Sequence, residues 1–244
     1  SLRQVEETAD EVRLGAAVTY AEAERALGAI DPDLAELLRR IGSKQVRASG
    51  TVGGNIANGS PIGDTPPALI ALGAVLDLRK GSVTRRIALE DFFIAYGKQD
   101  RKAGEIVASI GVPRLKRDEA FRCYKITKRF DQDISSVLGA FKFTLSGRRI
   151  TNARIAYGGM AATPKRASAT EAAVLSLSLD DPAAWEQAAD RLAEDFKPIG
   201  DHRASADYRA ATARALFLKA LTEVSGTSSR DTRVTGVREL VDAG

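Results

Sequence analysis

The segment from Ile41 to Asp64 restricts the possible folds of this chain more than any other part of it. It carries six glycines among hydroxyl, amide and carboxylate side chains. Neighbouring glycines such as Gly53 and Gly54 let the backbone approach another group where a Cβ atom would collide. Backbone N–H groups in such a segment can hold phosphate oxygens, and polar neighbours such as Thr51 and Asn55 can orient a ligand. The segment therefore predicts a binding loop for a phosphorylated cofactor.

Two common phosphate-binding motifs are excluded by the spacing of these glycines. The segment matches neither G-x-G-x-x-G nor G-x-x-x-x-G-K-[ST]. Glycine-rich loops are often plain turns, so the pattern alone leaves a structural turn open as the alternative.

Composition limits the other classes of site. The 244 residues suffice for one large or two small domains. Cys123 is the single cysteine and His202 the single histidine, so we expect no disulfide and no zinc or iron–sulfur site built from this chain alone. One cysteine suits a reducing compartment and no apolar run is long enough to span a bilayer, so we expect a cytoplasmic protein.

Periodicity predicts an α+β fold. Thr19 and Asp31 are expected to cap two helices, the second with a buried stripe that ends at Ile41. A hairpin is expected around Lys80-Gly81, and alternation predicts a strand with Ile106, Ala108, Ile110 and Val112 on its buried face. Three more strands then precede helices, one of them with Tyr208, Ala211, Ala215 and Leu218 as its apolar stripe. Strands followed by helices are typical of an α+β unit.

The amino-acid sequence of the glycine-rich segment resembles a flavin-binding segment of the xanthine dehydrogenase family of molybdenum hydroxylases. The resemblance rests on Gly42-Ser43-Lys44-Gln45-Val46-Arg47, on Thr51-Val52-Gly53-Gly54-Asn55-Ile56 and on Ser60-Pro61-Ile62-Gly63-Asp64-Thr65-Pro66-Pro67, and it extends from about Val12 to Val224. It implies that residues 1–115 form the larger part of a two-subdomain FAD-binding domain, a mixed or antiparallel sheet with helices. Residues 116–225 would form a small sheet backed by helices, and 226–244 a polar tail.

The resemblance also implies which residues bind the cofactor. FAD would contact the segment through Thr51, Val52, Gly53, Gly54 and Asn55, with further contacts from Ile41, Asp64, Val107 and Lys125. Ile41 replaces an aromatic residue of the animal enzymes, and Lys125 would place a cation near the flavin ring. Tyr96, Lys128 and Arg129 would lie near bound NAD. Because covalent flavin attachment generally uses histidine or cysteine, and neither lies in 41–64, we expect non-covalent FAD and no catalytic side chain in this chain.

By the same resemblance, the chain would pass electrons from [2Fe–2S] clusters through FAD to NAD during hypoxanthine or xanthine oxidation. The clusters and a molybdenum cofactor would lie on other domains or chains of a hetero-oligomer. Another family member, of the carbon monoxide or aldehyde dehydrogenase type, is the nearest alternative. The family's first flavin loop is not found in residues 1–40, so we expect weak FAD binding by these 244 residues alone.

A binding module of another class is the remaining alternative. Residues 114–129 carry seven basic side chains against two acidic ones, and a nucleic-acid interface would use this patch. Charge runs are usually solvated faces, and no nucleic-acid motif accompanies the patch, so we expect no nucleic-acid partner. An anionic dinucleotide such as NAD fits the patch better.

Overall fold

The computed structural model describes residues 2–227 and 231–233. The strands are β1 (Val5–Glu7), β2 (Glu11–Gly15), β3 (Val75–Lys80), β4 (Val83–Ala88), β5 (Phe93–Ala95), β6 (Lys98–Gln99), β7 (Ile106–Pro113), β8 (Glu119–Ile126), β9 (Val137–Ser146), β10 (Arg149–Gly158) and β11 (Lys165–Arg166). The helices are α1 (Tyr20–Gly28), α2 (Pro32–Arg39), α3 (Lys44–Ser49), α4 (Val52–Asn58), α5 (Thr65–Leu72), α6 (Leu89–Phe92), α7 (Ser168–Val174), α8 (Pro182–Asp190), α9 (Leu192–Asp195) and α10 (Ala206–Val224). Most of the tail expected from Gly226 lies outside the described residues.

Two antiparallel sheets with helices make up the α+β architecture that the sequence predicts. The first has the strand order β1-β2-β7-β3-β4, and the second has the order β11-β10-β9-β8. Strands β5 and β6 pair separately as a short hairpin. The expected hairpin at Lys80-Gly81 joins β3 to β4, and Gly81 there has the positive φ of +59° that favours glycine.

The first two helices begin where the sequence predicts because their caps are local. Thr19 Oγ1 accepts a hydrogen bond from Glu22 N at 3.2 Å, and Glu22 Oε2 accepts one from Thr19 N at 2.8 Å, which completes a capping box. Asp31 caps α2 through Asp33 N at 2.9 Å, with Pro32 at the first helical position. The stripe that ends at Ile41 is buried, as expected.

The glycine-rich segment is not the open loop that its composition suggests. Ser43 caps α3 and Thr51 caps α4, and the two short helices meet at the extended Gly50. A Cβ atom at Gly50 would lie 2.8 Å from the ring of Tyr20, so a side chain at this junction would collide with α1. The glycine at the break and the hydroxyl caps therefore divide the segment into helices.

A β-bulge changes which residues of β7 face the core. Asp77 pairs with Ser109 and Leu78 pairs with Val107, so Ala108 is the extra residue on β7. The bulge turns Val107 inward, while Ile106 is 44% exposed. The predicted face is therefore correct for Ile110 and Val112 and wrong for Ile106.

The second sheet packs on helices through a different face of α10 from the one the sequence predicts. The buried positions are Ala213, Leu216, Phe217, Ala220 and Leu221, together with the charged Arg209 and Glu223, whereas Tyr208 is half exposed. Arg209 is tolerated inside because its guanidinium donates to Gly159 O at 2.7 Å, to Ser136 O and to Asp201 Oδ1 at 2.8 Å. The predicted stripe of Tyr208, Ala211, Ala215 and Leu218 is therefore wrong, because α10 turns a neighbouring face, which includes Arg209, toward the sheet.

Helix α5 joins the two halves of the molecule, which are the first sheet with its helices and the second sheet with its helices. It is buried along its whole length and packs on β9 and β10. Arg154, on β10, donates to Ile70 O at 2.8 Å near the end of α5 and to Glu90 at 2.7 Å. Helix α5 also contacts β7 of the first sheet. Both sheets therefore hold the helix that follows Asp64, which fixes the position of the carboxylate at its start.

Candidate cofactor-binding site

The start of α4 is anchored on the end of β2. Gly53 N donates to Ala16 O at 3.1 Å, and Ala16 N donates to Ala108 O, in the bulge of β7, at 2.9 Å. A Cβ atom at Gly53 would lie 2.4 to 2.6 Å from Ala16, so this glycine is required by the chain's own backbone. Gly54, its neighbour, is exposed and is therefore the glycine that a ligand can approach.

The backbone donors at the start of α4 already have acceptors within the chain. Val52 N donates to Val18 O at 3.0 Å, Gly54 N to Thr51 Oγ1 at 3.0 Å and Asn55 N to Thr51 O at 3.0 Å. The free N–H groups expected for phosphate oxygens are therefore not found at 52–55. What the segment exposes there is the backbone surface of Gly54.

Asn55 connects the glycine-rich segment to α5. Its Oδ1 accepts from Thr65 Oγ1 at 2.7 Å and from Thr65 N at 3.3 Å. Among the described residues its amide nitrogen has no hydrogen-bond partner, so it remains able to donate to a ligand. The side chain that resemblance assigns to the cofactor thus also orients the start of α5.

Asp64 and Lys125 form a buried ion pair between the two halves of the chain. Asp64 Oδ2 accepts from Lys125 Nζ at 2.6 Å, and Asp64 Oδ1 accepts from Ser135 Oγ at 2.5 Å. Lys125 also donates to Arg40 O at 2.9 Å, and its side chain is 7% exposed. An ammonium has three donors, so one remains for a further acceptor. The end of the glycine-rich segment thus contacts a cation that has a spare donor.

Ile41 and Val107 are the two apolar residues that the resemblance assigns to the cofactor. Both are buried in the core around the first sheet. Val107 is adjacent to the bulged Ala108, whose carbonyl oxygen supports Ala16 and, through it, Gly53. Val107 and Gly53 therefore belong to one rigid unit, although 54 positions separate them in the sequence.

The three residues expected near NAD do not form one group. Tyr96 is 74% exposed at the tip of the β5–β6 hairpin, which Gln99 ties to Ala57 O on α4 at 2.6 Å. Lys128 donates to His202 O at 2.7 Å, and Arg129 pairs with Asp133 at 3.0 Å in the loop after β8. Lys128 and Arg129 thus share a loop, and Tyr96 lies on a separate hairpin.

Residues 114–129 do not present one cationic face. Arg114 pairs with Glu7 at 2.8 Å, and Arg122 pairs with Glu223 at 3.1 Å. Lys125 is buried against Asp64. This geometry does not support a nucleic-acid interface.

Cys123 sits at the junction of the two halves and is unsuited to reaction. Its N–H donates to Asp33 Oδ2, on α2, at 2.9 Å. Burial, with a further contribution from Asp33, raises the pKa of its thiol well above the usual value. Thiolate is the reactive form, so a buried thiol of raised pKa is protected.

We therefore expect Cys123 to be unreactive toward a thiol reagent such as Ellman's reagent in the native protein and to react fully in urea. The measurement is the absorbance of the released product, with one thiol per chain as the end point. Rapid labelling of the native protein would contradict a closed junction between α2 and β8.

Ser135, Ala16 and Arg40 were not predicted from the sequence. Ser135 and Arg40 O orient Asp64 and Lys125, and Ala16 supports Gly53. All three contacts join residues distant in sequence. The local signal for Ser135 is the serine pair Ser135-Ser136 directly before β9.

Comparisons with known proteins show the family to which both parts of the chain are similar. Residues 1–115 match the model of the FAD-binding domain in molybdopterin dehydrogenase, and residues 122–224 match that of the CO dehydrogenase flavoprotein C-terminal domain. The glyceraldehyde dehydrogenase medium chain of Sulfolobus acidocaldarius is 35% identical over 77% of this chain and 66% of its own length. A xanthine dehydrogenase of Emericella nidulans is 30% identical over 75% of this chain, which covers 14% of that protein.

Solved structures of related proteins have the same fold as this chain. Carbon monoxide dehydrogenase from Hydrogenophaga pseudoflava superposes with a TM-score of 0.84 and 30% identity, covering 91% of this chain and 77% of that one. The chain therefore belongs to the FAD-binding subunits and domains of the molybdenum hydroxylase family. It spans about two thirds of the archaeal medium chain and a small part of the fungal enzyme.

Two further findings concern metals and membranes. In residues 2–227 and 231–233, no three histidine, cysteine, aspartate or glutamate side chains are grouped so as to hold a metal ion. Within the same described ranges, every helix is too short or too polar to cross a bilayer.

Proposed function

We propose that this chain holds FAD without a covalent bond and is the electron-transfer flavoprotein part of a molybdenum hydroxylase. The observation that carries the proposal is the buried cluster of Lys125, Asp64 and Ser135. It joins the end of the glycine-rich segment to the second sheet and leaves one ammonium donor for a ligand. The exposed Gly54 and the amide nitrogen of Asn55 add a surface for the rest of the cofactor.

The chain's own contribution is binding and electrostatics. FAD, when bound, supplies the redox chemistry. Lys125 places a fixed positive charge that favours a reduced, anionic ring, and Asp64 and Arg40 O fix the direction of its ammonium. Non-covalent binding is supported by the burial and raised pKa of Cys123.

In the proposed full enzyme, [2Fe–2S] clusters and the molybdenum cofactor lie on other domains or chains. We propose xanthine as the substrate and NAD as the final acceptor, with Tyr96, Lys128 and Arg129 near the NAD. An aldehyde is the second candidate substrate, favoured by the similarity to the glyceraldehyde dehydrogenase medium chain. We further propose the division into domains at residues 115 and 116, and a cytoplasmic location.

Anaerobic titration of the purified complex tests this function. We expect acid to release free FAD, xanthine to bleach the visible flavin bands and NAD to restore them. Bleaching by glyceraldehyde but not by xanthine would favour the second substrate. A complex without flavin, or flavin that stays attached after acid treatment, would contradict the proposal. Weak binding of FAD by the isolated chain remains a prediction, and tight stoichiometric binding in a titration would overturn it.

A further inference from the structure

Arg209 is a buried cation that lies outside the residues assigned to FAD and NAD. It stands near the start of α10, and its side chain is 3% exposed. Its guanidinium donates to Ser136 O, just before β9, and to Gly159 O, just after β10, at 2.7 Å. The end of β8, the start of β9 and the end of β10 meet at one end of the second sheet. Arg209 therefore ties separate chain segments together at that end.

Packing alone does not explain an arginine at this position. The Nε atom of Arg209 is buried and has no hydrogen-bond partner among the described residues. A buried donor without an acceptor costs free energy, and apolar residues of similar volume can replace buried ionic groups without loss of stability. The fork of the guanidinium, which holds several acceptors in fixed directions, is what an apolar residue could not supply.

Ser136 connects Arg209 to the buried ion pair of the candidate cofactor site. Its carbonyl oxygen accepts from the guanidinium, and its N–H donates to Ile126 O, at the end of β8, at 2.8 Å. The preceding residue, Ser135, donates through Oγ to Asp64 Oδ1 at 2.5 Å. Strand β8 also carries the lysine of the pair. Arg209 thus holds the backbone that joins a partner of the carboxylate to the strand of the ammonium.

Gly159 connects Arg209 to the chain just before Asp64. Its carbonyl oxygen accepts from Arg209, and its N–H donates to Pro61 O at 2.8 Å. Gly159 has a positive φ of +79°, and a Cβ atom there would collide with Ser136 O. The guanidinium therefore also fixes the distance between the second sheet and the end of the glycine-rich segment.

Asp201 fixes the direction of the guanidinium. Its Oδ1 accepts from Arg209 Nη2 at 2.8 Å and from the N–H groups of Arg203 and Ala204 at 2.8 and 3.1 Å. The carboxylate is thus held in a turn before α10. Arg209 cannot reorient without breaking this contact, so its other two acceptors are held in place as well.

We propose that Arg209 is a positioning residue for the Lys125 ammonium, a role that rests on the proposed function, in which this ammonium lies at the flavin ring. Arg209 acts through Ser136 and Gly159, which set how Asp64 meets β8. A fixed cation at the ring stabilises the reduced, anionic flavin and raises its midpoint potential. Loosening the ion pair lowers that potential.

The midpoint potential of the bound flavin tests the proposal, measured by anaerobic redox titration of the purified complex after removal of free FAD. Arg209→Met removes the donors at similar volume. We expect a more negative midpoint potential than in the parent and about tenfold weaker FAD binding. The matched control is Arg214→Met on the same helix, because Arg214 pairs with Asp190 at 3.3 Å on the surface. Its potential and FAD affinity should equal those of the parent.

The double variant Arg209→Met, Lys125→Gln separates positioning from other effects. Lys125→Gln removes the cation but keeps a hydrogen-bond donor beside Asp64, and it should lower the potential by itself. Because Arg209 acts through Lys125, adding Arg209→Met should then lower the potential no further. A further drop as large as that of Arg209→Met alone would overturn the proposal, since Arg209 would then act through its own charge or through general stability.

An unchanged potential in Arg209→Met would also overturn the proposal. Should that variant fail to fold or to retain flavin, Arg209→Lys, which keeps the charge but loses the fork, must lower the potential, or the proposal fails. A parent complex without flavin would contradict the proposed function and, with it, this role of Arg209. A parent with flavin whose potential does not respond to Arg209 would contradict the positioning role alone.

Discussion

Asp64→Ala is expected to lower the free energy of unfolding by about 3 kcal/mol and to remove FAD from the purified protein. The reason is the ammonium of Lys125, which would stay buried with only the carbonyl of Arg40 near it. A buried charge without its partner is far more costly than an intact pair is favourable. Ser135 would also lose the acceptor of its hydroxyl.

Urea unfolding and the flavin-to-protein absorbance ratio measure the two effects. The double variant Asp64→Leu, Lys125→Met is the matched control, because it removes both charges at similar volume. We expect it to recover most of the stability but not the flavin. A stability loss below about 1 kcal/mol for Asp64→Ala, the range of exposed pairs, would show that the pair is not buried as described.

Gly53→Ala is expected to destabilise the protein by about 2 to 3 kcal/mol, typical of overpacking in a filled interior. The new methyl group would lie 2.4 Å from Ala16 Cβ and 2.5 Å from Ala16 O, and neither atom belongs to a flexible side chain. The end of β2 would have to move away from α4. This movement would break the hydrogen bond from Gly53 N to Ala16 O. We expect loss of flavin together with the loss of stability.

Gly54→Ala is the matched comparison, one residue away. Its methyl group would meet only Thr51 Oγ1, at 2.7 Å, so the cap must rotate at a cost of about 1 kcal/mol, partly offset by the better helix propensity of alanine. We expect a folded protein with weakened FAD binding, because Gly54 presents the exposed surface. Thermal unfolding and FAD titration separate the two variants. Equal stability of Gly53→Ala and Gly54→Ala would contradict the anchoring of α4 on Ala16.

Local signals allowed a large part of the fold to be predicted from the sequence. The box of Thr19 and Glu22 and the pair Asp31-Pro32 act within one helical turn, and both helices begin where these residues place them. The hairpin at Gly81 depends on one backbone conformation that glycine adopts readily. Such features need no knowledge of the rest of the chain.

The sequence-based predictions are wrong where contacts between residues distant in the sequence determine the structure. The residues around Ala108 do not predict the bulge, because it depends on how β7 pairs with β3. Gly53 and Gly54 predict an open loop from sequence alone, whereas the structure explains Gly53 by its contact with Ala16. On α10, the apolar stripe lies on a neighbouring face, and Arg209 is buried in place of Tyr208 because a network of distant acceptors binds its guanidinium.

The candidate site was predictable only in part for the same reason. Resemblance named Asp64 and Lys125 separately, but their ion pair joins residues 61 positions apart and depends on the packing of α5 against the second sheet. Ser135 has no motif of its own and is recognised only as the second hydrogen-bond donor to Asp64.

A crystal structure of the flavin-loaded assembled enzyme tests the central claim most directly. The account predicts flavin density with a ring oxygen or nitrogen about 3 Å from Lys125 Nζ. It also predicts that the diphosphate passes over Gly54. Flavin bound elsewhere, with no cofactor atom near Lys125 Nζ or Gly54, would contradict it.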